Sequence, residues 1–265
     1  MSLREATPDP PHRPSVCFVV PCFNEGSRLS SEAFVAGVSG LSPFAFCFVN
    51  DGSTDNTSGV LAKLRSLAPE QVEVVTLDVN RGKAEAVRQG VLHALAWRQF
   101  DFVGYWDADL ATPLSEVALF LETMQRHQRC EFILGSRVKR LGANIERRGI
   151  RHVFGRMFAT MTSVLLDLPV YDSQCGAKLL RAGTAAKLFA DAFVTRWLFD
   201  VELLVRLRQL DGSGGLGSAI EVPLGEWRDV GGSKLGIASM VKSPLDLLRI
   251  RLQYPVHANP TAAQR

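Results

Sequence analysis

The stretch FVGYWDADLATP, from Phe102 to Pro113, begins as a buried strand and then places two carboxylates close together. Four of its first five residues are apolar or aromatic, which is typical of a strand covered on both faces. Asp107 and Asp109 follow at once, with only Ala108 between them. On an extended chain their side chains face the same way with Cα atoms about 6.6 Å apart, so the two charges repel each other. A divalent cation would relieve that repulsion, because hard cations prefer carboxylate oxygens together with substrate phosphates.

The aspartate pair also has a purely structural explanation. Asp109 would serve as a cap for the following helix, because aspartate oxygens accept hydrogen bonds from the free amides at helix starts. Asp107 stands at the last residue of the strand and has no such use. The pair therefore favours a metal site over a helix cap.

Apolar runs and helical patterns alternate on both sides of this stretch. The strand-like runs are VCFVVP, FAFCFVN, VEVVTL, FVGYW and EFILGS, and helical patterns separate them. This alternation predicts an α/β domain with a mostly parallel central sheet and helices on both faces. In the less regular second half we expect helices at about 150–168, around FDVELLVRLRQL and in SMVKSPLDLLRIRLQY, and a strand in AIEVPL. The sequence predicts one domain over residues 15–255, with a disordered lead-in at 1–14 and a flexible tail at 256–265.

The composition of the 265-residue chain narrows the class of protein. A net charge of +3 gives no case for nucleic-acid binding, which needs a concentrated basic face. The five cysteines form no C-x-x-C or zinc-like spacing, so we expect reduced thiols in a cytoplasmic protein. No run reaches the roughly 18 consecutive apolar residues of a membrane-spanning helix, and the N-terminus does not resemble a signal peptide.

Polar residues follow four of the predicted strands, in the segments PCFNEG, NDGSTD, DVNRGK and DAD. Because parallel sheets bind ligands at the carboxyl ends of their strands, we expect these segments to converge on one site. Glu25 and Asp51 are suited to accept hydrogen bonds from sugar hydroxyls or base N–H groups, and Lys83 stands at a helix start, where anions bind. The alternatives are an Asx turn with Asp55 as the helix cap, and an ordinary surface lysine at position 83.

Three common nucleotide-binding and hydrolase motifs are missing from the sequence. There is no G-x-G-x-x-G after the first strand, no G-x-x-x-x-G-K-[ST] phosphate loop and no G-x-S-x-G turn. Hydride transfer, P-loop hydrolysis and nucleophilic triads are therefore disfavoured. A nucleotidyltransferase shares the strand–helix plan but would need a G-x-G-x-R turn where PCFNEG stands.

Four motifs, in this order, resemble those of family 2 inverting glycosyltransferases with the GT-A fold: VVPCFNE, FVNDGSTDNT, NRGKAEAVRQG and WDADLATP. Further along, GSR, DSQCGAKLL, RWLFDVELL and GGSKL are similar to the polyprenyl- and dolichyl-phosphate glycosyltransferases, especially the dolichyl-phosphate β-glucosyltransferase branch. The resemblance covers about Val16 to Tyr254. It implies an enzyme that transfers a hexose from a nucleoside-diphosphate sugar to a polyprenyl phosphate by single displacement, with Mg²⁺ or Mn²⁺ bound at the D-x-D motif.

The same resemblance implies roles for single residues of the donor site, in a nucleotide-sugar-binding half at 15–136. Asp107 and Asp109 would bind the metal and the donor diphosphate. Arg137, Arg148 and Lys234 would complete the catalytic set by neutralising phosphate, with Lys234 on a mobile loop. The nucleoside would be held, together with Asp107, by Pro21, Phe23, Glu25, Asp51 and Lys83.

An acceptor-binding half at 137–255 is implied as well. A phosphate-monoester acceptor is already ionised near neutral pH and needs a cationic cradle more than a strong base. Asp200 is the fallback base for an alcohol acceptor, and Trp197 suits core packing equally well. A solvated face is the alternative for the basic run from Arg137 to Arg156. The implied acceptor residues are Arg148, Arg151, Asp172, Gln174, Trp197 and Asp200.

Ala111 bears on the donor sugar. Mannosyltransferase relatives tend to carry Gln at this position as a further metal ligand, so Ala111 favours UDP-glucose over GDP-mannose. The alternatives that stay open are a GDP-mannose-dependent polyprenyl-phosphate mannosyltransferase and a soluble family 2 enzyme with a non-lipid acceptor. A catalytically dead sensor would have no need of the four charges of Asp107, Asp109, Arg137 and Lys234.

A lipid acceptor implies contact with a membrane surface, and we expect a peripheral protein on the cytoplasmic face. Two helical faces are apolar, and each suits either the lipid interface or ordinary core packing. The basic run favours the interface for the first face, and the second is left open. The first face consists of Phe154, Met157, Phe158, Met161, Leu165 and Leu168, and the second of Val241, Leu245, Leu248 and Leu252.

Overall fold

The computed structural model of this chain describes residues 14–38, 44–146, 160–211, 216–230 and 237–255. The whole predicted tail, and all but one residue of the predicted lead-in, lie outside these ranges. Among the described residues, no helix combines the length and the apolar character needed to cross a bilayer. All five cysteines are described, and each is a buried free thiol.

The first half of the chain builds the parallel part of a central sheet. Its strands are β1 (Val16–Cys22), β2 (Phe44–Asp51), β3 (Val72–Leu77) and β4 (Phe102–Trp106), and the helices between them are α1 (Ser31–Val38), α2 (Thr57–Leu67) and α3 (Lys83–Trp97). The strands lie in the order β3-β2-β1-β4, and neighbours pair in parallel. The apolar runs form strands here because helices cover both sheet faces. The strands and helices predicted for this half are confirmed.

A strand that sequence analysis did not place joins the two parts of the sheet. This strand, β7 (Ala177–Arg181), pairs antiparallel with β4 on one side and with β5 (Phe132–Ser136) on the other. The strand predicted from AIEVPL is β8 (Ala219–Pro223), which pairs parallel with β5 and completes a seven-stranded sheet. The expected mostly parallel sheet is confirmed, with β7 as an antiparallel insertion beside β4. A separate two-stranded parallel sheet is formed by β6 (Asn144–Glu146) and β9 (Glu226–Arg228).

Helices lie on both faces of the central sheet, as predicted. The remaining ones are α4 (Val117–Arg126), which follows a 3-10 turn, α5 (Ala182–Leu188), α6 (Phe199–Asp211) and α7 (Ile237–Gln253). On one face α1, α2 and α4 bury apolar residues such as Phe34, Leu61 and Phe120. On the other face α3, α5, α6 and α7 pack together, with Ile250 of α7 fully buried.

Residues 160–166 are also helical and belong to the helix predicted at about 150–168. Its apolar face was expected to contact a membrane. In the structure, Met161 and Leu165 pack against the core and Leu168 is buried within it, so this part of the prediction is wrong. Core packing, the alternative, accounts for these three residues. Phe154, Met157 and Phe158 lie outside the described residues.

Candidate active site

The aspartate pair lies in a tight turn at the carboxyl end of β4. The strand ends at Trp106, and the Leu110 amide donates to the Asp107 carbonyl at 3.2 Å. The expectation of an extended chain through Asp109 is therefore wrong, because the chain turns immediately after the strand. The Asp109 carboxylate accepts a hydrogen bond from the Ala111 amide at 3.1 Å, which holds the turn in place.

This turn concentrates negative charge in a partly buried place. Burial, followed by the charge of Asp107, raises the pKa of Asp109 above its ordinary value. Among the described residues, no group of three or more His, Cys, Asp or Glu side chains is placed to hold a metal ion. The chain thus offers two carboxylates, and a divalent cation would take its further oxygen ligands from a bound phosphate or from water.

Lys83, the first residue of α3, points its ammonium group at this pair. Its Nζ lies 2.6 Å from Oδ1 of Asp107. Burial lowers the pKa of Lys83, but the carboxylates of Asp107, Asp200 and Asp109 outweigh that effect and raise it overall. Lys83 was predicted to help hold the nucleoside together with Asp107, and the structure brings these two side chains into contact.

Gly176 of the DSQCG motif makes room for Asp107. The Asp107 amide donates to the Gly176 carbonyl at 2.9 Å, and a Cβ atom at residue 176 would overlap the Oδ2 atom of Asp107. Only glycine allows the backbone to approach the carboxylate this closely. The DSQCG motif therefore positions the aspartate turn, a role that sequence analysis did not assign to it.

Asp51 ends β2 and binds the loop that leads to Lys83. Its two carboxylate oxygens accept hydrogen bonds from the amides of Arg81 at 2.7 Å and Gly82 at 2.9 Å. The Asp51 side chain is buried, as expected for a residue directly after a buried strand. Each carboxylate oxygen has a second lone pair, so a ligand hydrogen bond remains chemically available.

Glu25 lies at the end of β1 and pairs with Arg28, which sequence analysis did not single out. The guanidinium of Arg28 donates to both carboxylate oxygens at 2.9 Å, and the Glu25 amide donates to Thr57 Oγ1 at 2.8 Å. Pro21 and Phe23 are half-buried at the same strand end. The loops after β1 and β2 are thereby tied together at the edge where a nucleoside was predicted to bind.

Arg137 and Asp172 form a two-point ion pair. Arg137 donates to the two Asp172 oxygens at 2.6 Å and 2.7 Å, and its guanidinium carbon lies 5.4 Å from the centre of the Trp227 ring. Burial lowers the pKa of Arg137, but Asp172 more than offsets this and raises it overall. Asp172, predicted to contact the acceptor, therefore orients the arginine that was predicted to neutralise phosphate.

Asp200, which was predicted on the acceptor side, is buried. Its Oδ1 atom accepts hydrogen bonds from Lys178 Nζ at 2.6 Å and from the hydroxyl of Tyr105. Lys178, the second residue of β7, is fully buried and also donates to the Cys175 carbonyl at 2.6 Å. Burial, followed by Asp200, raises the pKa of Tyr105 well above its ordinary value. The only sequence signal for this buried triad was a lysine within the apolar run AKLLR.

Two further predicted acceptor residues lie near the surface of the second half. Trp197 is partly buried and packs against the core, which was its alternative interpretation. Gln174 is half-buried, and its side-chain nitrogen has no hydrogen-bond partner among the described residues. Next to Trp197, Arg196 donates to the Asn80 side chain at 2.8 Å and so joins the two halves of the chain, which sequence analysis missed.

Arg148, Arg151 and Lys234 lie outside the described residues, but the strands that lead to them are described. Glu146, the last residue of β6, lies opposite Arg228, the last residue of β9, in the register of the two parallel strands. The Arg228 amide donates to the Ala111 carbonyl at 2.9 Å, directly after the aspartate turn. Both of these strands therefore end close to the aspartate turn.

Comparison with known proteins places the chain in a family. The model of glycosyl transferase family 2 matches residues 17–189. A dolichyl-phosphate beta-glucosyltransferase of Trichomonas vaginalis is 30% identical over 89% of this chain and 71% of its own length. Proteins of the same name from Saccharomyces cerevisiae and Drosophila melanogaster are 30% and 33% identical, over 89% and 91% of this chain and 74% and 75% of their own lengths.

Solved structures support the fold. Glucosyl-3-phosphoglycerate synthase from Mycobacterium tuberculosis, in complex with Mn²⁺, UDP and glucosyl-3-phosphoglycerate, superposes with a TM-score of 0.65 at 17% identity, covering 92% of this chain and 81% of that one. At this identity the likeness concerns the fold alone. The predicted GT-A fold is confirmed, and the match to the family model over most of the chain shows that this protein belongs to glycosyl transferase family 2.

Proposed function

We propose that this protein is a metal-dependent, inverting glucosyltransferase that moves glucose from UDP-glucose to a polyprenyl phosphate of the dolichyl type. The observation that carries the proposal is the turn at the end of β4, where Lys83 lies 2.6 Å from Asp107 and Asp109 follows two residues later. Membership of glycosyl transferase family 2 supports the reaction class. The names of the relatives support the sugar and the acceptor.

Asp107 and Asp109 are the residues we assign to Mg²⁺ or Mn²⁺. They present hard oxygen ligands, and the raised pKa of Asp109 reflects a burial and repulsion that a cation would offset. When bound, a divalent cation supplies positive charge to the leaving diphosphate. Lys83 adds a positive charge at the same place. A Mycobacterium tuberculosis enzyme of this fold has been solved with Mn²⁺ and UDP-glucose, which agrees with the assignment.

The nucleoside of the donor is bound, in this proposal, where the loops after β1, β2 and β3 meet. Asp51 fixes the loop after β3 through two backbone amides, and Glu25 is held by Arg28 and Thr57. These contacts order the loops before any ligand arrives, so less conformational entropy is lost on binding. Pro21 and Phe23 supply the apolar part of this side.

The transfer itself is a single displacement at the anomeric carbon. An oxygen of the acceptor phosphate forms a bond to that carbon, while the bond from carbon to the diphosphate oxygen breaks and its electron pair leaves with UDP. A phosphate monoester needs no general base, because its second pKa is about 6. This agrees with Asp200, whose carboxylate is already bound by Lys178 and Tyr105.

Cationic residues neutralise the phosphates of the two substrates. Arg137 and Lys234 are assigned to the donor side, and Arg148 and Arg151 to the acceptor phosphate. The two-point contact with Asp172 fixes the orientation of Arg137 before a phosphate binds. Gln174 and Trp197 remain proposed neighbours of the acceptor.

Ala111 supports glucose as the sugar that is transferred. Its side chain is buried and carries no oxygen, whereas mannosyltransferases that the sequence resembles tend to carry Gln at this position. A GDP-mannose-dependent enzyme with the same acceptor is the second candidate. Since polyprenyl phosphates reside in bilayers, we also propose that the protein works at the cytoplasmic face of a membrane, in line with its free buried thiols.

Purified protein tests this proposal directly. Labelled UDP-glucose or GDP-mannose is supplied with Mn²⁺, with and without a short polyprenyl phosphate, and the organic-soluble label is measured. We expect organic-soluble label from UDP-glucose only when both Mn²⁺ and the lipid phosphate are present. Label from GDP-mannose alone would favour the second candidate. Transfer to water-soluble acceptors and none to the lipid phosphate would contradict the proposal.

A further inference from the structure

The closing helix α7 exposes an apolar stripe. Leu245, Leu248 and Leu252 are 61%, 48% and 72% exposed. Their spacing of three and four residues puts them on one side of the helix. Single exposed apolar residues are common on proteins, whereas several on one face indicate a contact surface. We call these three residues the leucine stripe.

The opposite side of α7 is fixed to the protein. Leu247 and Ile250 are fully buried in the core. At the end of the helix, the Tyr254 hydroxyl donates to Glu202 at 2.8 Å and accepts from Arg206 at 3.0 Å. Turning the leucine stripe inward would expose these buried groups, which opposes a rotation of the helix. Leu245, Leu248 and Leu252 of the second apolar face are therefore not on the core-facing side of this helix, and the side chain of Val241 lies outside the described part of the structure.

Positive charge accompanies the leucine stripe. Arg249 and Arg251 are both exposed. Arg249 donates to Asp246 at 3.0 Å, and Arg251 donates to the Leu165 carbonyl. From Ile237 to Gln253 the sequence has three cationic residues, Lys242, Arg249 and Arg251, against Asp246 as the one carboxylate. Two copies of this face would bring like charges together, which opposes a symmetric self-contact. An anionic, apolar partner complements both features.

We propose that the leucine stripe and its arginines dock α7 on the surface of a bilayer that contains anionic phospholipid. The leucines enter the boundary between headgroups and acyl chains, and the guanidinium groups remain at the phosphates, as in helices that lie in the membrane plane. The inference rests on the proposed function, since a lipid acceptor requires the protein to reach a membrane. It assigns the contact to α7, and the 160–166 segment contributes core packing instead.

The test is co-sedimentation with vesicles of phosphatidylcholine, alone or mixed with phosphatidylserine, without donor or acceptor. The variants are Leu245→Gln, Leu252→Gln and the two combined. Leu67→Gln is the matched control, because Leu67 is 56% exposed and lies on α2, across the central sheet. These positions are exposed, so we expect all variants to keep the wild-type circular dichroism and thermal midpoint.

Wild type and Leu67→Gln should bind the mixed vesicles, more weakly at high salt and more weakly without phosphatidylserine. The double variant should bind at least about tenfold more weakly, because two apolar side chains no longer enter the bilayer. The proposal would be overturned if the double variant bound the mixed vesicles as well as the wild type does. It would also be overturned if the wild type did not bind the mixed vesicles. Light scattering gives the oligomeric state of both proteins. A dimeric wild type together with a monomeric double variant would show that the leucine stripe is a contact between two copies of the chain, and this would also overturn the proposal.

A second readout separates this inference from the proposed function. Transfer of glucose to a short polyprenyl phosphate dissolved in water should be equal for wild type and the double variant, because α7 then has no bilayer to contact. Transfer to a long polyprenyl phosphate in mixed vesicles should fall with vesicle binding. The protein could bind vesicles through the leucine stripe and yet transfer glucose to neither acceptor. That result would contradict the proposed function, but it would still support α7 as the docking surface.

Discussion

The carboxylate of Asp107 fills the space that a side chain at Gly176 would occupy, and the Gly176 carbonyl accepts the Asp107 amide hydrogen at 2.9 Å. The DSQCG motif, which contains Gly176, therefore positions the first aspartate of the WDADLATP motif, although the two residues are far apart in sequence. The contact joins the donor half of the chain to the second half, directly at the candidate metal site.

Gly176→Ala should impair the enzyme through this contact. The added Cβ overlaps Oδ2 of Asp107, so the carboxylate has to move, and a shift of about 1 Å at a catalytic group costs about 100-fold in kcat/KM. Gly183→Ala is the control, because a Cβ there meets nothing within 4 Å. It should keep full activity and raise the free energy of unfolding by up to about 1 kcal/mol. Wild-type kcat/KM for UDP-glucose in Gly176→Ala would contradict the positioning role.

Lys83→Met should weaken transfer and change its pH dependence. Loss of a cation at the leaving diphosphate should lower kcat by about 100-fold. Because Lys83 is one of the groups that lower the pKa of Asp109, its removal should raise that pKa further. Protonation then competes with the metal at a higher pH, so the acid side of the pH–rate profile should move upward. Lys63→Met, on the exposed side of α2, changes net charge equally and should leave the profile unmoved.

The triad of Lys178, Asp200 and Tyr105 should matter mainly for stability. Lys178→Met leaves a buried carboxylate without its cation, so the free energy of unfolding should fall by about 3–5 kcal/mol. The double variant Lys178→Met/Asp200→Leu removes the buried charge as well and should recover part of that loss. Urea unfolding measures both. A double variant no more stable than Lys178→Met would contradict this account of the pair.

The buried cysteines should be unreactive in the native protein. Burial, followed by the charge of Glu73, raises the pKa of Cys47 from 9.0 to about 12. The thiol therefore stays protonated in the folded state, whereas in the unfolded state it ionises near its ordinary pKa. Stability should accordingly decline as pH rises from about 9 towards 12. A thiol-specific dye at pH 8 should label the native protein slowly and all five cysteines after denaturation; rapid native labelling would show that these thiols are accessible.

The parallel part of the fold was predictable because its signals are local. Each apolar run from Val16 to Trp106 is bounded by polar turns, and the carboxyl ends of parallel strands must meet at one edge. The strand β7 was missed because Lys178 interrupts its short apolar run. The lysine is tolerated in the core only because Asp200, in another element, neutralises it.

The candidate site was predictable as a set of residue types, and much less so as a set of contacts. Asp172 was expected at the acceptor, but its pairing with Arg137 depends on where two distant loops end. The two sides of α7 are both apolar in sequence, so periodicity alone cannot tell which one is buried. Packing of Leu247 and Ile250 decides this, and it leaves the leucine stripe outside.

The rate of glucose transfer from UDP-glucose to a polyprenyl phosphate, measured for wild type and Asp109→Ala with and without Mn²⁺, tests the central claim most directly. We predict metal-dependent product from the wild type and a rate at least about 100-fold lower for Asp109→Ala, because the leaving diphosphate loses its bound charge. A wild-type rate that survives removal of the metal, or an Asp109→Ala rate equal to that of the wild type, would contradict the account.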